Sequence, residues 1–225
     1  MTYRALATDY DGTIATQGAV DGPTWAALGR LRASGRRLVL VTGRELDELE
    51  QVCPGLDRFD RVVAENGAIL HRPGDRTGRA LAPRPPEAFL EELKRRGVGP
   101  ISAGRAIVAT WEPHRAAVEA TIRDLGLDLV VIPNKRALMV LPPGVDKASG
   151  LAEALAELGI APEQTVGVGD AENDAALLDA CGFAAAVANA LPGLKARADL
   201  VTLGERGAGV AELIDRLLAG TLVVP

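Results

Sequence analysis

Four short sequence features supply residue types that could together carry out phosphoryl transfer. Segment 9–13 reads Asp-Tyr-Asp-Gly-Thr after an apolar run, and segment 169–174 reads Gly-Asp-Ala-Glu-Asn-Asp after another. Between them lie Thr42, after a third apolar run, and Lys147. This set offers a carboxylate nucleophile, an acid/base group, donors for a phosphate and oxygen ligands for a hard metal ion. Transfer through an aspartyl-phosphate requires these groups.

Asp9 is the candidate nucleophile, because it directly follows the first apolar run. A carboxylate can accept a phosphoryl group when a metal ion offsets its charge and donors hold the phosphoryl oxygens. Gly12 permits a sharp turn that would bring Asp11 back over the substrate. Asp11 could then protonate the leaving oxygen and later deprotonate the attacking water. The alternative is that Asp11 and Gly12 form an ordinary turn and that Asp9 caps a helix.

The two acidic segments indicate a magnesium site. Mg²⁺ prefers oxygen ligands and keeps several waters, so one or two carboxylates and a phosphate oxygen suffice. We expect Asp9 and Asp170 to be direct ligands and the backbone carbonyl of Asp11 to be a third. Asp174 would bind either directly or through water. The alternative for Asp170 and Asp174 is N-capping of a helix, which is common for Asp before an apolar helix.

Thr42, Gly43 and Lys147 are the candidates for holding the transferred phosphoryl group. The Thr42 hydroxyl and the Gly43 amide could bind a phosphoryl oxygen at the start of a helix, whose dipole favours an anion. The Lys147 ammonium could offset the charge of Asp9 and of the phosphate. Thr is also a frequent helix cap and most lysines are solvated, so the prediction rests on the combination of motifs.

The elements that would position these residues follow from the hydrophobic pattern. Apolar runs alternate with helical periodicity, which is typical of an α/β fold with a mostly parallel, Rossmann-like sheet and helices on both faces. The candidate strands are 3–8, 37–41, 61–64, 165–168, 183–187 and 200–203. In open α/β sheets, ligands bind beyond the carboxyl ends of the strands. Asp9, Thr42 and Asp170 should therefore converge on one crevice.

The middle of the chain predicts a small inserted α+β domain. Segment 83–86 is proline-rich and reads as a linker, and a second proline-glycine cluster begins at residue 142. Between them the pattern predicts a helix, a strand near 107–110, a second helix, and strands at 129–132 and 137–141. We therefore expect the core to comprise 1–82 and 143–225, and the inserted domain to comprise 83–142.

Composition excludes several classes of function. The chain has 225 residues, a net charge of −5 and 3% aromatic residues, whereas a nucleic-acid binder usually carries a basic surface and stacking rings. No signal peptide or membrane-spanning run stands out, so we expect a soluble cytoplasmic protein without a membrane partner. Two isolated cysteines predict neither a disulfide framework nor a metal site. Oligomeric state is not readable from the sequence.

In these motifs the chain resembles the haloacid dehalogenase superfamily of phosphatases, and more narrowly its Cof-type branch with a type IIB cap. The matching parts are segments 9–13, 41–44 and 169–174 and Lys147, and segment 65–68, Glu-Asn-Gly-Ala, resembles a further stretch of that branch. The resemblance spans the chain and implies a Rossmann-like core with an inserted cap, Mg²⁺ dependence, Asp9 as nucleophile and Asp11 as general acid/base. Ala148 is a departure, because many relatives have glycine there.

The resemblance also implies which residues surround the substrate. Arg44, Asn66 and Asn173 of the core are expected to border it, and the cap is expected to close over the crevice and read the leaving group. The cap residues that are candidates for this reading are polar and lie in its turns: Arg105, His114, Asn134, Lys135 and Arg136.

A cap of this size favours a small phosphate ester, and phosphoglycolate is the first expectation. Its carboxylate would suit an arginine or lysine of the cap. Alternatives within the resemblance are a sugar-phosphate phosphatase of the sucrose phosphate or mannosyl-phosphoglycerate type, and a phosphomutase. A receiver-like signalling domain is the non-enzymatic alternative. The length, the insertion and the acidic motif after Lys147 argue against it.

Overall fold

The computed structural model of the protein describes residues 3–222 and contains two β-sheets. In chain order the strands are β1 (Ala5–Thr8), β2 (Arg37–Val41), β3 (Arg61–Ala64), β4 (Ile69–Arg72), β5 (Thr77–Ala80), β6 (Ser102–Ala103), β7 (Val108–Trp111), β8 (Val130–Asn134), β9 (Ala137–Leu141), β10 (Thr165–Gly169), β11 (Phe183–Ala186) and β12 (Leu200–Val201). Strands β6 to β9 form the smaller sheet, and the others form the larger one.

The α-helices follow in the same chain order. They are α1 (Gly22–Ala33), α2 (Leu46–Val52), α3 (Glu87–Arg95), α4 (Arg115–Asp124), α5 (Lys147–Leu158), α6 (Ala175–Asp179), α7 (Pro192–Lys195) and α8 (Arg206–Ala219). Local chemistry sets their ends: Asp21 accepts a hydrogen bond from the Thr24 amide before α1, and Gly159 ends α5 in the left-handed conformation. Between residues 3 and 222, no helix is long and apolar enough to cross a membrane.

The larger sheet has eight strands in the order β12-β11-β10-β1-β2-β3-β4-β5. Strand β1 is central and pairs in parallel with β2 and β10, so that Leu6 lies beside Leu38 on one side and Val166 on the other. Strands β3, β4 and β5 pair antiparallel. The parallel strands all point their carboxyl ends to one edge, and this edge carries the predicted chemistry.

Helices cover both faces of this sheet. On one face Leu6 belongs to a buried cluster with Leu31 of α1 and Leu213 of α8. On the other face Ala7 belongs to a cluster with Leu151 of α5. A strand covered on both faces reads as a continuous apolar run, which is the pattern that predicted these strands. The α/β fold class with helices on both faces is confirmed.

The structure adds a hairpin to the core that the sequence prediction missed. Strands β4 and β5 follow β3 antiparallel, and all residues of β5 are exposed. A polar edge strand lacks the apolar run that identified the others, so its sequence gave no signal. The predicted strands also ran one to two residues too far at residues 3, 187 and 203, because pairing begins at Ala5 and ends at Ala186 and Val201.

The smaller sheet is antiparallel in the order β6-β7-β9-β8 and forms a cap domain. Helices α3 and α4 cover one of its faces, where Phe89 and Val118 pack with Val108 and Val140. The prediction lacked β6, which has only two residues. The limits placed at residues 83 and 142 stay a prediction.

An apolar cluster joins the core to the cap. It contains Leu46 of the core together with Ile107 and Met139 of the cap. Ala82, beside the point where the chain enters the cap, and Leu141, beside the point where it returns, belong to the same cluster. The two crossings between the domains therefore lie within one patch of contacts.

Candidate active site

The predicted motifs meet at the carboxyl edge of the larger sheet. Asp9, Thr42 and Asp170 directly follow β1, β2 and β10, and all three are buried. They line one cavity of about 310 Å³ between the core and the cap. Lys147, the first residue of α5, extends its ammonium to the same place. The structure thus brings Asp9, Thr42 and Asp170 to one cavity, as the sequence predicted, while their roles stay a prediction.

Lys147 is fully buried between two carboxylates. Its Nζ lies 2.6 Å from Asp9 Oδ1 and 2.5 Å from Asp174 Oδ1. Burial alone would lower the pKa of Lys147, but the carboxylates of Asp174 and Asp9 outweigh this effect and raise the pKa above its usual value. The helix start that presents Lys147 is fixed by Asp146, which accepts a hydrogen bond from the Ser149 amide at 2.8 Å. The side chain therefore remains an ammonium ion.

The Asp9 carboxylate is held at both oxygens. Lys147 Nζ binds Oδ1, and the Thr13 hydroxyl donates to Oδ2 at 2.9 Å. Burial raises the pKa of Asp9 to about 7, and the nearby Asp174 carboxylate adds to the effect while Lys147 opposes it. Asp9 and Asp174 thus carry more negative charge than the Lys147 ammonium between them offsets.

The donor set of the acidic cluster fits a hard cation. Oxygens of Asp9, Asp170 and Asp174 lie within 4.8 Å of one another. Asp170 Oδ1 is buried and has no hydrogen-bond partner among residues 3–222. An orphaned buried carboxylate oxygen is costly, and Mg²⁺ prefers such ligands. The residues present therefore fit a magnesium ion.

Asp174 already uses both carboxylate oxygens within the protein. Oδ1 accepts from Lys147, and Oδ2 accepts from the amides of Asp170 and Ala171, both at 2.9 Å. A Cβ at Gly169 would lie 2.5 Å from the Asp174 side chain, so this strand end must be glycine. These bonds orient Asp174 as a support for Asp170 and Lys147. They favour the water-mediated alternative for its contact with a metal ion.

Gly12 allows the acidic segment 9–13 to turn tightly over Asp170. Its φ is +85°, and a Cβ would lie 2.2 Å from Asp170 Oδ2. Asp11, just before it, lines the cavity with a side chain that is 44% exposed. Arg44 binds both Asp11 oxygens, through Nε at 2.5 Å and Nη2 at 2.8 Å, and also pairs with Glu48. The predicted ligand role of the Asp11 backbone carbonyl stays a prediction.

The phosphate-binding prediction needs one correction. Thr42 and Gly43 do not begin a helix: α2 starts only at Leu46, because Glu45 before it has an extended backbone. A short loop of residues 42–45 replaces the expected helix start, and we call it the phosphate loop after its predicted role. In that loop the Arg44 amide donates to Thr42 Oγ1 at 3.2 Å. The hydroxyl proton of Thr42 therefore remains available to a ligand.

Asn66 and Asn173 lie together, but only Asn173 lines the cavity. Asn173 donates from Nδ2 to Asn66 Oδ1 at 3.0 Å, and the backbone N–H of Asn66 donates to the Thr42 carbonyl at 2.9 Å. Asn66 Nδ2 is buried, and the described part of the chain offers it no hydrogen-bond partner. Asn66 has a φ of +54°, a left-handed conformation that Asn tolerates better than most residues. Asn66 therefore supports both Asn173 and the loop that contains Thr42.

Two of the five predicted cap residues reach the cavity. Asn134 lines it, and Lys135 extends Nζ to 2.7 Å from Asp170 Oδ2. Arg105 instead pairs with exposed Asp47, and His114 contacts the Gly99 carbonyl at 2.9 Å. Arg136, the fifth candidate, lies outside the cavity lining.

Sequence reasoning missed the apolar wall that the cap gives to the cavity. This wall consists of Ile107, Ala109, Trp111, Ala137 and Met139. On β7 and β9 these positions alternate with residues that pack on the cap helices, and Ala109 pairs directly with Met139. The period-two alternation was therefore the available signal. A Cβ at Gly43 would lie 2.7 Å from Met139 Cε, which places this side chain directly on the phosphate loop.

The sequence analysis also did not identify Asn189 as a residue of the site. It follows β11, and its Nδ2 donates to the Gly12 carbonyl at 2.8 Å and lies 3.4 Å from Asp170 Oδ2. The rule that ligands bind beyond the carboxyl ends of strands applies to β11 as it does to β1. That rule could have singled out Asn189 as part of the site.

Known proteins match this chain over nearly its whole length. The haloacid dehalogenase-like hydrolase family matches residues 6–101 and 106–214. A phosphoglycolate phosphatase of Halorubrum lacusprofundi is 32% identical over 228 residues, covering 96% of this chain and 98% of that protein. A phosphoglycolate phosphatase of Methanothermobacter thermautotrophicus is 32% identical over 224 residues, covering 96% of this chain and 99% of the relative.

Solved structures share the fold. A protein of Thermoplasma acidophilum superposes with a TM-score of 0.83 at 18% identity, covering 97% of this chain and 99% of its own. A sugar phosphatase of haloacid dehalogenase subclass IIB superposes with a TM-score of 0.79 at 19% identity, covering 97% of this chain and 100% of that protein. The chain therefore belongs to the haloacid dehalogenase-like hydrolase family, and within that family it is a phosphatase.

Proposed function

We propose that this phosphatase hydrolyses a small phosphorylated carboxylic acid, with phosphoglycolate as the first candidate, through an aspartyl-phosphate on Asp9. The observation that carries the proposal is the buried Asp9 carboxylate. Lys147 and Thr13 hold it beside the unpartnered Oδ1 of Asp170. This arrangement fixes a nucleophile next to carboxylate oxygens that suit a hard cation. The phosphoglycolate phosphatases that resemble the chain support the choice of substrate.

The first proposed step is attack by Asp9 on the phosphorus atom, which forms an acyl-phosphate and breaks the bond to the leaving oxygen. Lys147 orients the carboxylate and opposes the rise of its pKa, and its charge also stabilises the transferring group. Asp9 and Asp170 would hold Mg²⁺, which supplies electrostatic stabilisation of the phosphoryl oxygens. Thr42 Oγ1 accepts a hydrogen bond from the Arg44 amide, so the Thr42 hydroxyl would donate a hydrogen bond to one of those oxygens.

Asp11 is the proposed general acid and base. It gives a proton to the leaving oxygen in the first step and takes one from water when the acyl-phosphate is hydrolysed. Arg44 holds the Asp11 carboxylate at the mouth of the cavity through both of its oxygens. Arg44 therefore orients Asp11 for both proton transfers.

The cap, which we assign to residues 83–142, would read the leaving group. Its contribution to the cavity is an apolar wall together with Asn134 and the Lys135 ammonium. Lys135 is thus a cap cation within reach of a carboxylate on the substrate. Met139 lies against the phosphate loop and restricts the space beside the phosphate. These features favour a short, anionic leaving group over a hexose.

The central prediction concerns phosphate release from a panel of esters with Mg²⁺. We expect phosphoglycolate to rank above hexose phosphates, sucrose phosphate and an aryl phosphate. Asp9→Asn should abolish release from all of them, because an amide cannot accept the phosphoryl group. Equal turnover of phosphoglycolate and esters with neutral leaving groups would contradict phosphoglycolate as the preferred substrate. Release that survives Asp9→Asn would contradict the nucleophile.

A second prediction concerns the metal site and uses stability as its readout. Mg²⁺ should raise the melting temperature of the wild type, because an ion that binds only the folded state stabilises it. Asp170→Asn should lose most of that increase, since it replaces the charged carboxylate that carries the orphaned oxygen. The exposed Asp47→Asn serves as the control and should respond to Mg²⁺ like the wild type. An unchanged Mg²⁺ response in Asp170→Asn would exclude the assigned site.

A third prediction concerns the buried ammonium. Lys147→Met should lower the free energy of unfolding by about 3–5 kcal/mol, because it leaves two buried carboxylates without their shared cation. Denaturant titration measures this loss, and phosphatase activity should disappear with it. Lys94→Met, at an exposed position on α3, provides the matched control and should change little. A loss below about 1 kcal/mol would show that the charges are not paired as described.

A fourth prediction concerns Met139 as a limit on substrate size. Met139→Ala should raise the relative kcat/KM for hexose phosphates over phosphoglycolate by roughly 10-fold, since it removes three heavy atoms from the wall beside Gly43. Ala103→Ser, a cap change on exposed β6, serves as a control. If the ranking of the panel is the same in Met139→Ala and wild type, Met139 does not set the size limit.

A further inference from the structure

Glu65 places a fully buried carboxylate at the junction of the core and the cap. Its Oε1 accepts the Arg105 amide at 3.0 Å, and its Oε2 accepts the amides of Ala106 at 2.7 Å and Ile107 at 3.0 Å. Successive backbone amides that converge on one anion form a small binding concavity. A core side chain therefore occupies an anion site made by the backbone of the cap.

The cap loop fits closely around this carboxylate. A Cβ at Gly104 would lie 2.7 Å from Glu65 Oε2 and 2.8 Å from Oε1. Gly104 does not have a left-handed backbone, so the requirement for glycine here comes from the contact alone. The loop and the carboxylate are thus complementary in shape as well as in charge.

The backbone of the same turn supports the phosphate loop. Glu65 and Asn66 both have left-handed backbones, with φ of +51° and +54°. Their amides donate to the carbonyls of Arg44 and Thr42, each at 2.9 Å. Non-glycine residues adopt this conformation where surrounding contacts enforce it, and such positions cluster at functional sites.

The turn also contacts the helix that carries Lys147. Gly67 has a φ of +111°, and a Cβ there would lie 1.9 Å from the Asp146 carbonyl oxygen. A Cβ at Gly150 of α5 would lie 2.7 Å from Gly67 Cα. One short turn therefore contacts the cap, the phosphate loop and the start of α5.

We propose that Glu65 is a positioning residue, which seats the cap over the cavity and couples its position to the loop containing Thr42. The inference rests on the proposed function, in which the cap wall with Met139 reads the leaving group. A buried carboxylate can hold the cap firmly, because three amides lose their partner if it is removed. The exposed Arg105–Asp47 pair also links the domains, but a solvated pair contributes little.

Glu65→Gln tests the contact itself by hydrogen exchange on the Mg²⁺-containing protein without substrate. An isosteric amide keeps the shape but points an N–H group at the cap amides. We expect the amides of residues 105–107 to exchange at least about 10-fold faster, as local opening becomes easier. Asp47→Asn, which alters the other link to Arg105, should leave their exchange unchanged. Unchanged protection in Glu65→Gln would overturn the proposal.

Kinetics test the consequence for catalysis. The ratio of kcat/KM for phosphoglycolate to that for an aryl phosphate should fall by about 10²-fold in Glu65→Gln, because misplacing the cap affects the substrate that depends on it. An equal loss for both esters would indicate only general destabilisation and would also overturn the proposal. Should wild type fail to hydrolyse phosphoglycolate, that substrate is wrong, whereas the exchange result still decides the role of Glu65.

Gly104→Ala approaches the same contact from the cap side. It adds a methyl group against the carboxylate while the core keeps Glu65. The variant should reproduce both the faster exchange at residues 105–107 and the lower kinetic ratio. It also provides the decisive measurement if Glu65→Gln does not fold. Wild-type values for both measurements in Gly104→Ala would show that the contact does not position the cap.

Discussion

A buried ammonium ion between two carboxylates is the constraint on which the rest of the site depends. Lys147 can occupy this position only because Asp9 and Asp174 surround its Nζ at 2.6 Å and 2.5 Å. Each carboxylate belongs to a different part of the chain, so the ion pair fixes the distance between β1, β10 and the start of α5. Removing the ammonium would leave both carboxylates buried without a cation. The excess of acidic groups then creates the demand for a further cation.

Much of this arrangement could be predicted from the sequence, for a physical reason. Strands buried on both faces are continuous apolar runs, and the polar residue that ends each run must lie at the edge of the sheet. Asp9, Thr42 and Asp170 were identified in this way, and the structure brings them together. The proline-bracketed middle of the chain likewise predicted a separate sheet with its helices.

The remaining features depend on contacts that no local pattern records. The exposed β5 has no apolar run, and the loop that replaces the start of α2 depends on the backbone of Glu45. Met139 reaches the phosphate loop only because two domains meet there. The pairing of Arg44 with Asp11 joins residues far apart in sequence. Sequence indicates which groups are at the sheet edge, but tertiary packing decides which of them touch.

The two crossings between core and cap lie in one apolar cluster, at Ala82 and Leu141. An insertion whose ends lie close together costs the host fold little, because the loop-closure entropy grows only slowly with length. The chain between those points can therefore diverge or change in length while the strand order of the core stays intact. In the proposed function the core carries the reaction chemistry and the cap the substrate choice, so the two can change separately. A changed cap would still have to present the backbone amides that bind Glu65 of the core.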